Sequence, residues 1–443
     1  MEVRIISTHC IKPSHLTPQD LKSHNLSLLD HFVPPIYIPM ILFYTDATLD
    51  GHHRLHLLCQ SLSETLTLFY PFAGTINDKL FVDCDDRGIP FSEAKANSTL
   101  AHFFNQPNLA SSLHKLLPVQ PTWDESSQGV HVAAIRVTAF ECGALTVGAI
   151  VSHMIADGAA TSFFLKSWAA TARKANDHHP SPNFEAPPVI FPDKADVLPK
   201  HAGIMALCGR FIKRGKTVTR RLRFGASAMA KLTAEGSSSR VPNPTRVEVV
   251  SALIWKSMTA ALKSDSVLIS HAVNMRRRAV PAFSEGYMGN FLWAAPALSR
   301  GVELLPELVI KIRESITKID ADLVKSLQGE GGSVRYCEAL GEMAGEAAGG
   351  EAYVGYSSWC GFGLYDVDFG WGKPAWVACT GSTGDEALSF NAVVLVDTPS
   401  GHGIEAWLYL PPDDMAMLEQ DKDLLAFATL DPHPLETNAP SLY

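Results

Sequence analysis

Two short segments carry side chains that could do chemistry. The first is His153-Met154-Ile155-Ala156-Asp157-Gly158, a His and an Asp four residues apart followed by Gly. The second, some two hundred residues later, is Asp368-Phe369-Gly370-Trp371-Gly372. A neutral imidazole, with an unperturbed pKa of about 6.5, is free base at neutral pH and basic enough to take a proton from an alcohol as the alcohol attacks a carbonyl. His153 is the candidate general base. Asp157 has two readings: the orienting acid of a Ser-His-Asp relay, or, as preferred, the N-cap of the next helix that fixes the turn. Gly158 would let the backbone turn tightly beside the histidine, although an ordinary turn glycine accounts for it equally well. The chain has no Gly-x-Ser-x-Gly elbow, which argues against a serine hydrolase.

The elements that must position these residues are of strand and helix type in alternation, which predicts a mixed α/β fold. Val130 to Phe140 and Ala144 to Ser152 read as neighbouring strands around Glu141-Cys142-Gly143, and the second delivers His153 at its end. A helix is expected from Gly158 through Phe163, Phe164 and Trp168 to Lys174. Between 176 and 201, Asp177, His178, His179, Pro180, Pro182, Pro187, Pro188, Pro192 and Pro199 exclude regular structure and mark a linker. This divides the chain into 1–176, a crossover at 177–212, and 213–443, with a strand segment near 357–380 able to pack with the N-terminal domain. Helical spacing runs from Leu305 through Ile312 and Ile319 to Leu323. The Gly-rich stretch from Gln328 to Gly355, with a short helix at Tyr336 to Met343, reads as a mobile surface segment. Phe390 to Val396 and Ile404 to Leu410 form a hairpin pattern about Asp397 to Gly401.

Further motifs join the two segments into one pattern. They are Ile11-Lys12-Pro13, Leu26-Ser27-Leu28-Leu29-Asp30, Leu62 to Leu66, Tyr70-Pro71-Phe72-Ala73-Gly74, Val250 to Lys256, Asn274-Met275-Arg276, Gly289-Asn290 and Ser357-Ser358-Trp359. In order and spacing the chain resembles the plant BAHD acyltransferases, which move an acyl group from coenzyme A to an alcohol or amine. Thr75 departs from the Arg common after Pro-x-Ala-Gly, and a polar tail runs on after Met417 to Tyr443. The resemblance implies two chloramphenicol-acetyltransferase-like domains, with mixed β-sheets flanked by helices, joined by a long crossover loop and with a tunnel between them. It implies that Asp157 pairs with Arg276, and it offers Ser357 and Trp359 as oxyanion donors beside their plainer reading as a strand-end polar residue and a core Trp. Asp368, Phe369, Gly370, Trp371 and Gly372 would form a tight structural loop near the coenzyme path, with Asp368 held by an internal ion pair.

The expected reaction is O-acyl transfer from an acyl-CoA co-substrate, acetyl-CoA foremost, to a hydroxyl of an alkaloid, terpenoid or related alcohol. Longer aliphatic or benzoyl donors are alternatives, and so is a non-catalytic ligand-binding member of the fold. The runs Leu26 to Asp30, Pro34 to Tyr44, Gly403 to Trp407 and Met415 to Asp421 are most similar to the branch of vinorine synthase and alcohol acetyltransferases.

Composition bounds the rest. With 443 residues and 46% hydrophobic residues the chain can bury two or three cores, and a net charge of −9 argues against a nucleic-acid partner. A basic cluster at Arg210, Lys213, Arg214, Lys216, Arg220, Arg221 and Arg223 reads either as a solvated strand face or as a contact for coenzyme phosphates. Eight dispersed cysteines suggest neither a metal site nor a disulfide scaffold. No long apolar run or secretory leader is visible, so a cytoplasmic monomer without a permanently bound cofactor or membrane partner is expected.

Overall fold

The computed structural model describes residues 1–45, 51–77, 81–119, 130–175, 180–193, 202–380 and 388–435. Alternating runs of β-branched residues and amphipathic helices build two compact units. The first consists of Met1–Lys194, Ser284–Asn290 and Phe362–Gly381, and the second of Ala195–Phe283, Phe291–Gly361 and Ser382–Tyr443.

The first unit is built on β1 (Val3–Ile11), β2 (Tyr37–Tyr44), α1 (Gly51–Leu68), β3 (Ile89–Ala96), β4 (Ala133–Ala139), β5 (Leu145–Ser152) and α2 (Gly158–Arg173). Its sheet runs β1, β3, β4, β5, β2 and then the short strand Trp376–Ala378. Only β3 and β4 pair in parallel; the other neighbours are antiparallel. The run Leu145 to Ser152 is buried along its whole length, as a central strand must be. Helices α1 and α2 lock together where the Trp168 indole N–H donates to Leu58 O and Ser61 Oγ. The short strand Trp376–Ala378 pairs Trp376 with Phe43 and Ala378 with Ile41, so chain from beyond residue 362 completes this first sheet.

The second unit comprises β6 (Val218–Phe224), α3 (Arg246–Ala261), β7 (Ser266–Asn274), β8 (Leu292–Arg300), α4 (Leu305–Thr317), α5 (Gly332–Ala347), β9 (Ala352–Ser358), β10 (Ala392–Asp397), β11 (Ile404–Leu410) and β12 (Thr429–Leu430). Its sheet order is β8, β7, β9, β10, β11, β6, β12, with β9 parallel to both β7 and β10. Helix α3 begins at a capping box in which Thr245 and Glu248 satisfy each other's backbone N–H. It buries Val249, Val250, Leu253, Ile254 and Trp255 in the core over the sheet.

Several expectations change on structural grounds. The Pro-rich stretch is not devoid of structure: Pro187 and Pro188 open a short helix, Ala186–Ile190, because a proline costs nothing in the first turn where its N–H would be orphaned. Asn183 there exchanges backbone bonds with Gly286 and Met288. Asp177, His178, His179 and Pro199 lie outside the described residues. The Gly-rich region holds the 16-residue helix α5, whose buried Tyr336, Leu340 and Met343 face the unit's core, so it is a packed amphipathic element. The helix from Leu305 stops at Thr317, and a separate one, Ala321–Ser326, restarts where Asp320 accepts from Leu323 N–H. Within the basic cluster, Arg221 and Arg223 share the buried Glu405, Arg220 meets Glu419, and Arg210 donates to the carbonyls of Ala347 and Gly350. These guanidiniums are committed internally, while Lys213, Arg214 and Lys216 are exposed.

Candidate active site

His153 follows the last residue of β5, and its backbone N–H is held by Ile36 O at 2.8 Å. The imidazole Nδ1 stands 3.0 Å from Oδ1 of Asn290. The Asn290 side chain cannot rotate freely, because its Nδ2 donates to Asp30 Oδ1 at 2.7 Å and to His153 O at 2.7 Å. Asp30 in turn accepts from Asn290 N–H and, through its other oxygen, from the N–H and hydroxyl of Ser27. With both donors of the amide spent on oxygens, the group facing Nδ1 is the amide oxygen, which requires a proton on Nδ1. Nε2 then carries the lone pair.

Burial holds the His153 imidazole below the ordinary histidine pKa, opposed by smaller pulls from its own backbone, the charge of Asp157 and Asn290. The ring is therefore neutral at pH 7. Burial also pushes the Asp30 carboxyl upward, against the four donors that favour its charged form.

Asp157 sits fully buried at the N-cap of α2 and accepts from Ala160 N–H at 2.8 Å. Its own N–H reaches Gly289 O, next to Asn290. Gly158 is the first residue of α2 with helical backbone; it is absent from the residues of positive φ, so no left-handed turn explains it. In the second unit, Arg276 is buried with its guanidinium over the Phe291 ring at 4.5 Å.

The pentapeptide is a turn locked to the first unit. Asp368 Oδ1 accepts from Gly370 N–H at 2.7 Å and from Gly372 N–H at 3.0 Å. Both glycines have positive φ, 107° and 101°, the conformation that turns their N–H groups back onto the carboxylate. This corrects the expected ion pair at Asp368: its carboxylate is held by backbone donors, and Arg173 of α2 takes its carbonyl oxygen instead. Phe369 is buried edge-on against Trp168 and Tyr44 and stacks on Trp371, while Tyr44 donates its hydroxyl to Val367 O.

Ser357 lies half-buried on β9, between Ala272 of β7 and Val394 of β10. Its neighbour Tyr356 faces the helix-covered core, so strand alternation turns Ser357 to the opposite face. Trp359 is buried just beyond, with its backbone N–H on Leu395 O. Both belong to the second unit, whereas His153, Asp157 and Asp368 to Gly372 belong to the first.

The sequence singles out His153 and Asp157 but gives Asn290 and Asp30 no role beyond a motif match. Each is separated from His153 by more than a hundred residues, and a neutral amide carries no signal of its own. Among the described residues no cluster of three or more metal-ligating side chains occurs, and no helix is long and apolar enough to cross a membrane.

Residues 1–425 match the model of the Transferase family. A limonoid 7-O-acetyltransferase of Citrus sinensis is 46% identical over 98% of this chain and 100% of the relative. A Melia azedarach protein, epi-neemfruitin B 7-O-acetyltransferase, is 44% identical over 98% of this chain and 100% of its own length. The crystal structure of vinorine synthase superposes with a TM-score of 0.79 at 30% identity, covering 96% of this chain and 98% of that one. The chain belongs to the BAHD acyl-CoA-dependent acyltransferases of this Transferase family, and its fold is that of the vinorine synthase branch.

Proposed function

We propose that the protein transfers an acetyl group from acetyl-CoA to a hydroxyl of a polycyclic terpenoid alcohol of the limonoid kind, with His153 as general base. The observation that carries the reading is the Asp30–Asn290–His153 chain, which leaves an unprotonated Nε2 on a neutral imidazole. Near-full-length identity of 46% and 44% to two limonoid 7-O-acetyltransferases supports the acceptor class and the acetyl donor.

The acceptor hydroxyl gives its proton to Nε2 as its oxygen bonds to the thioester carbonyl carbon. The tetrahedral oxyanion collapses, the carbon–sulfur bond breaks, and the imidazolium returns the proton to the coenzyme thiolate. Ser357 hydroxyl and Trp359 indole N–H are the proposed oxyanion donors, each typically worth about 2.7–4 kcal/mol. Asp157 and Arg276 are positioning residues: a buried acid that caps the helix after His153 and a buried guanidinium of the second unit. Asp368 to Gly372 fix the chain near the coenzyme path. No nucleophilic Ser or Cys is motif-placed beside His153, so transfer is direct within a ternary complex. The proposed working form is a cytoplasmic monomer.

The test is incubation of the purified protein with acetyl-CoA and a panel of limonoid, other terpenoid and alkaloid alcohols, reading free thiol and product mass. Ester formed on limonoid alcohols, with intersecting initial-rate plots, supports the reading. Acetylated protein after acetyl-CoA alone would overturn the direct mechanism, and turnover only on alkaloids would overturn the acceptor class.

A further inference from the structure

A concavity lies wholly within the first unit; Ser152 and Met154, which flank His153, line it, as does Ile36. Its volume is about 590 Å³, within the range of about 300–1,000 Å³ typical of small-molecule sites. The floor is one face of the sheet: Ala134 and Arg136 of β4, and Ile150 and Ser152 of β5, alternate residues whose side chains share that face. His153 is not among the lining residues, and its ring is turned to Asn290. The rest of the wall is largely apolar, including Ile5, Tyr37, Pro90 and Met154.

Arg136 makes this cavity more than an apolar hollow. Its guanidinium is half-buried and bonds only neutral oxygens: Nε to Ser92 Oγ, Nη1 to Lys115 O and Nη2 to Pro118 O. No carboxylate pairs with it among the described residues. Burial lowers its pKa with no opposing charge to raise it. An arginine has five N–H donors, so two remain for a ligand.

The site is built into the backbone. Arg136 pairs across the strands with Gly148, where an added Cβ would meet Leu116 O at 2.1 Å. The missing side chain lets the segment around Leu116 press onto the sheet and present Lys115 O and Pro118 O to the guanidinium. A partly desolvated cation held by carbonyls and facing an apolar chamber is unsatisfied in charge, though not in geometry.

We propose that this cavity is a second small-molecule site that takes a hydrophobic carboxylate, its apolar body on the sheet face and its carboxylate on the two remaining Arg136 donors. Charge complementarity selects an anion, the lining selects an apolar body, and a planar fork selects a carboxylate over a point anion.

The experiment is calorimetric titration of the full-length protein with dodecanoate and, as its uncharged match, dodecanol. Dodecanoate is expected to bind at one site, and Arg136→Gln to weaken it about tenfold or more while leaving dodecanol unchanged. Arg136→Lys, which keeps the charge but loses the planar fork, should restore only part of the dodecanoate affinity that Arg136→Gln removes, and full wild-type affinity in Arg136→Lys would overturn the fork. Ile5→Glu, on the exposed rim, provides a variant that does not disturb the Arg136 bonds; it should weaken dodecanoate far more than dodecanol. Absence of dodecanoate binding, or binding indifferent to both Arg136→Gln and Ile5→Glu, overturns the proposal. Acetyl transfer by the same preparation reports separately on the catalytic reading.

Discussion

Asn290 Nδ2 and Asp30 Oδ1 stand 2.7 Å apart, and through that contact a buried carboxylate decides which nitrogen of His153 carries the proton. The arrangement has the logic of a catalytic triad with a neutral amide in the middle: orientation and tautomer are transmitted, but no proton moves along it. Replacing Asn290 by Ala releases the ring and exposes Nδ1 to either tautomer. The expected result is a loss of kcat amounting to part of the about 10²–10⁴-fold that a general base supplies, with the KM for acetyl-CoA little changed. Steady-state kinetics on a folded variant check this; full activity would remove Asn290 from the mechanism.

His153→Ala should lose the whole of that about 10²–10⁴-fold in kcat while keeping a normal melting temperature. The pH dependence gives an independent readout. Because burial lowers the His153 pKa, the free base persists below pH 6.5, so the acid limb of kcat/KM should fall with an apparent pKa under 6.5. A limb above 6.5 would contradict the assigned environment.

Asp368→Ala leaves the Gly370 and Gly372 N–H groups without their acceptor, at a cost of about 1–3 kcal/mol of stability. Thermal unfolding measures it. A loss of 3 kcal/mol or more, of the size about 3–5 kcal/mol expected for a broken buried ion pair, would favour the ion-pair account over the backbone one.

Much of this site is legible in the sequence. His153 at a strand end and Asp157 capping the following helix follow from a β-branched run and a cap residue, both local signals. The pentapeptide's Gly-Trp-Gly likewise announces a turn. What escaped is non-local. Asn290 and Asp30 meet His153 only because the segment Ser284–Asn290 folds into the first unit, and no periodicity encodes that. The proline count misled at Pro187 and Pro188, since the same ring that breaks a helix interior is well suited to its first turn. At Asp368, burial-type neighbours suggested a partner of opposite charge, but two positive-φ glycines had already supplied donors.

The second unit contains its own acid-sensitive group. His271 on β7 is buried, stacks on Tyr356 at 4.9 Å and has both ring nitrogens without partners; burial depresses its pKa to about 4. The unfolded chain, near 6.5, binds the proton more readily, so stability should fall as pH drops from about 6.5 toward 4. His271→Phe, which preserves the stack, should flatten part of that slope in melting temperature against pH. An unchanged slope would assign the acid sensitivity elsewhere, for example to His24, which burial also depresses to about 4.

Glu405 binds Arg221 at 2.8 Å and Arg223 at 3.0 Å, and the same guanidiniums hold the carbonyls of Pro432, His433 and Pro434. Glu405→Ala strands two cations and should cost about 3–5 kcal/mol. Chemical denaturation of the variant decides it, with less than 1 kcal/mol ruling the network structurally idle.

The bond from Tyr44 to Val367 O joins residues 323 positions apart. On the ribosome, the sheet that carries His153 must wait with its β2 edge open until Trp376–Ala378 emerges, long after its other strands are made. An unpaired strand edge is a site for association with other chains. The same late-arriving segment that locks the pentapeptide in place therefore makes the nascent protein dependent on protection of Tyr37–Tyr44 during synthesis, and makes truncation before residue 376 a route to aggregation rather than to a functional half.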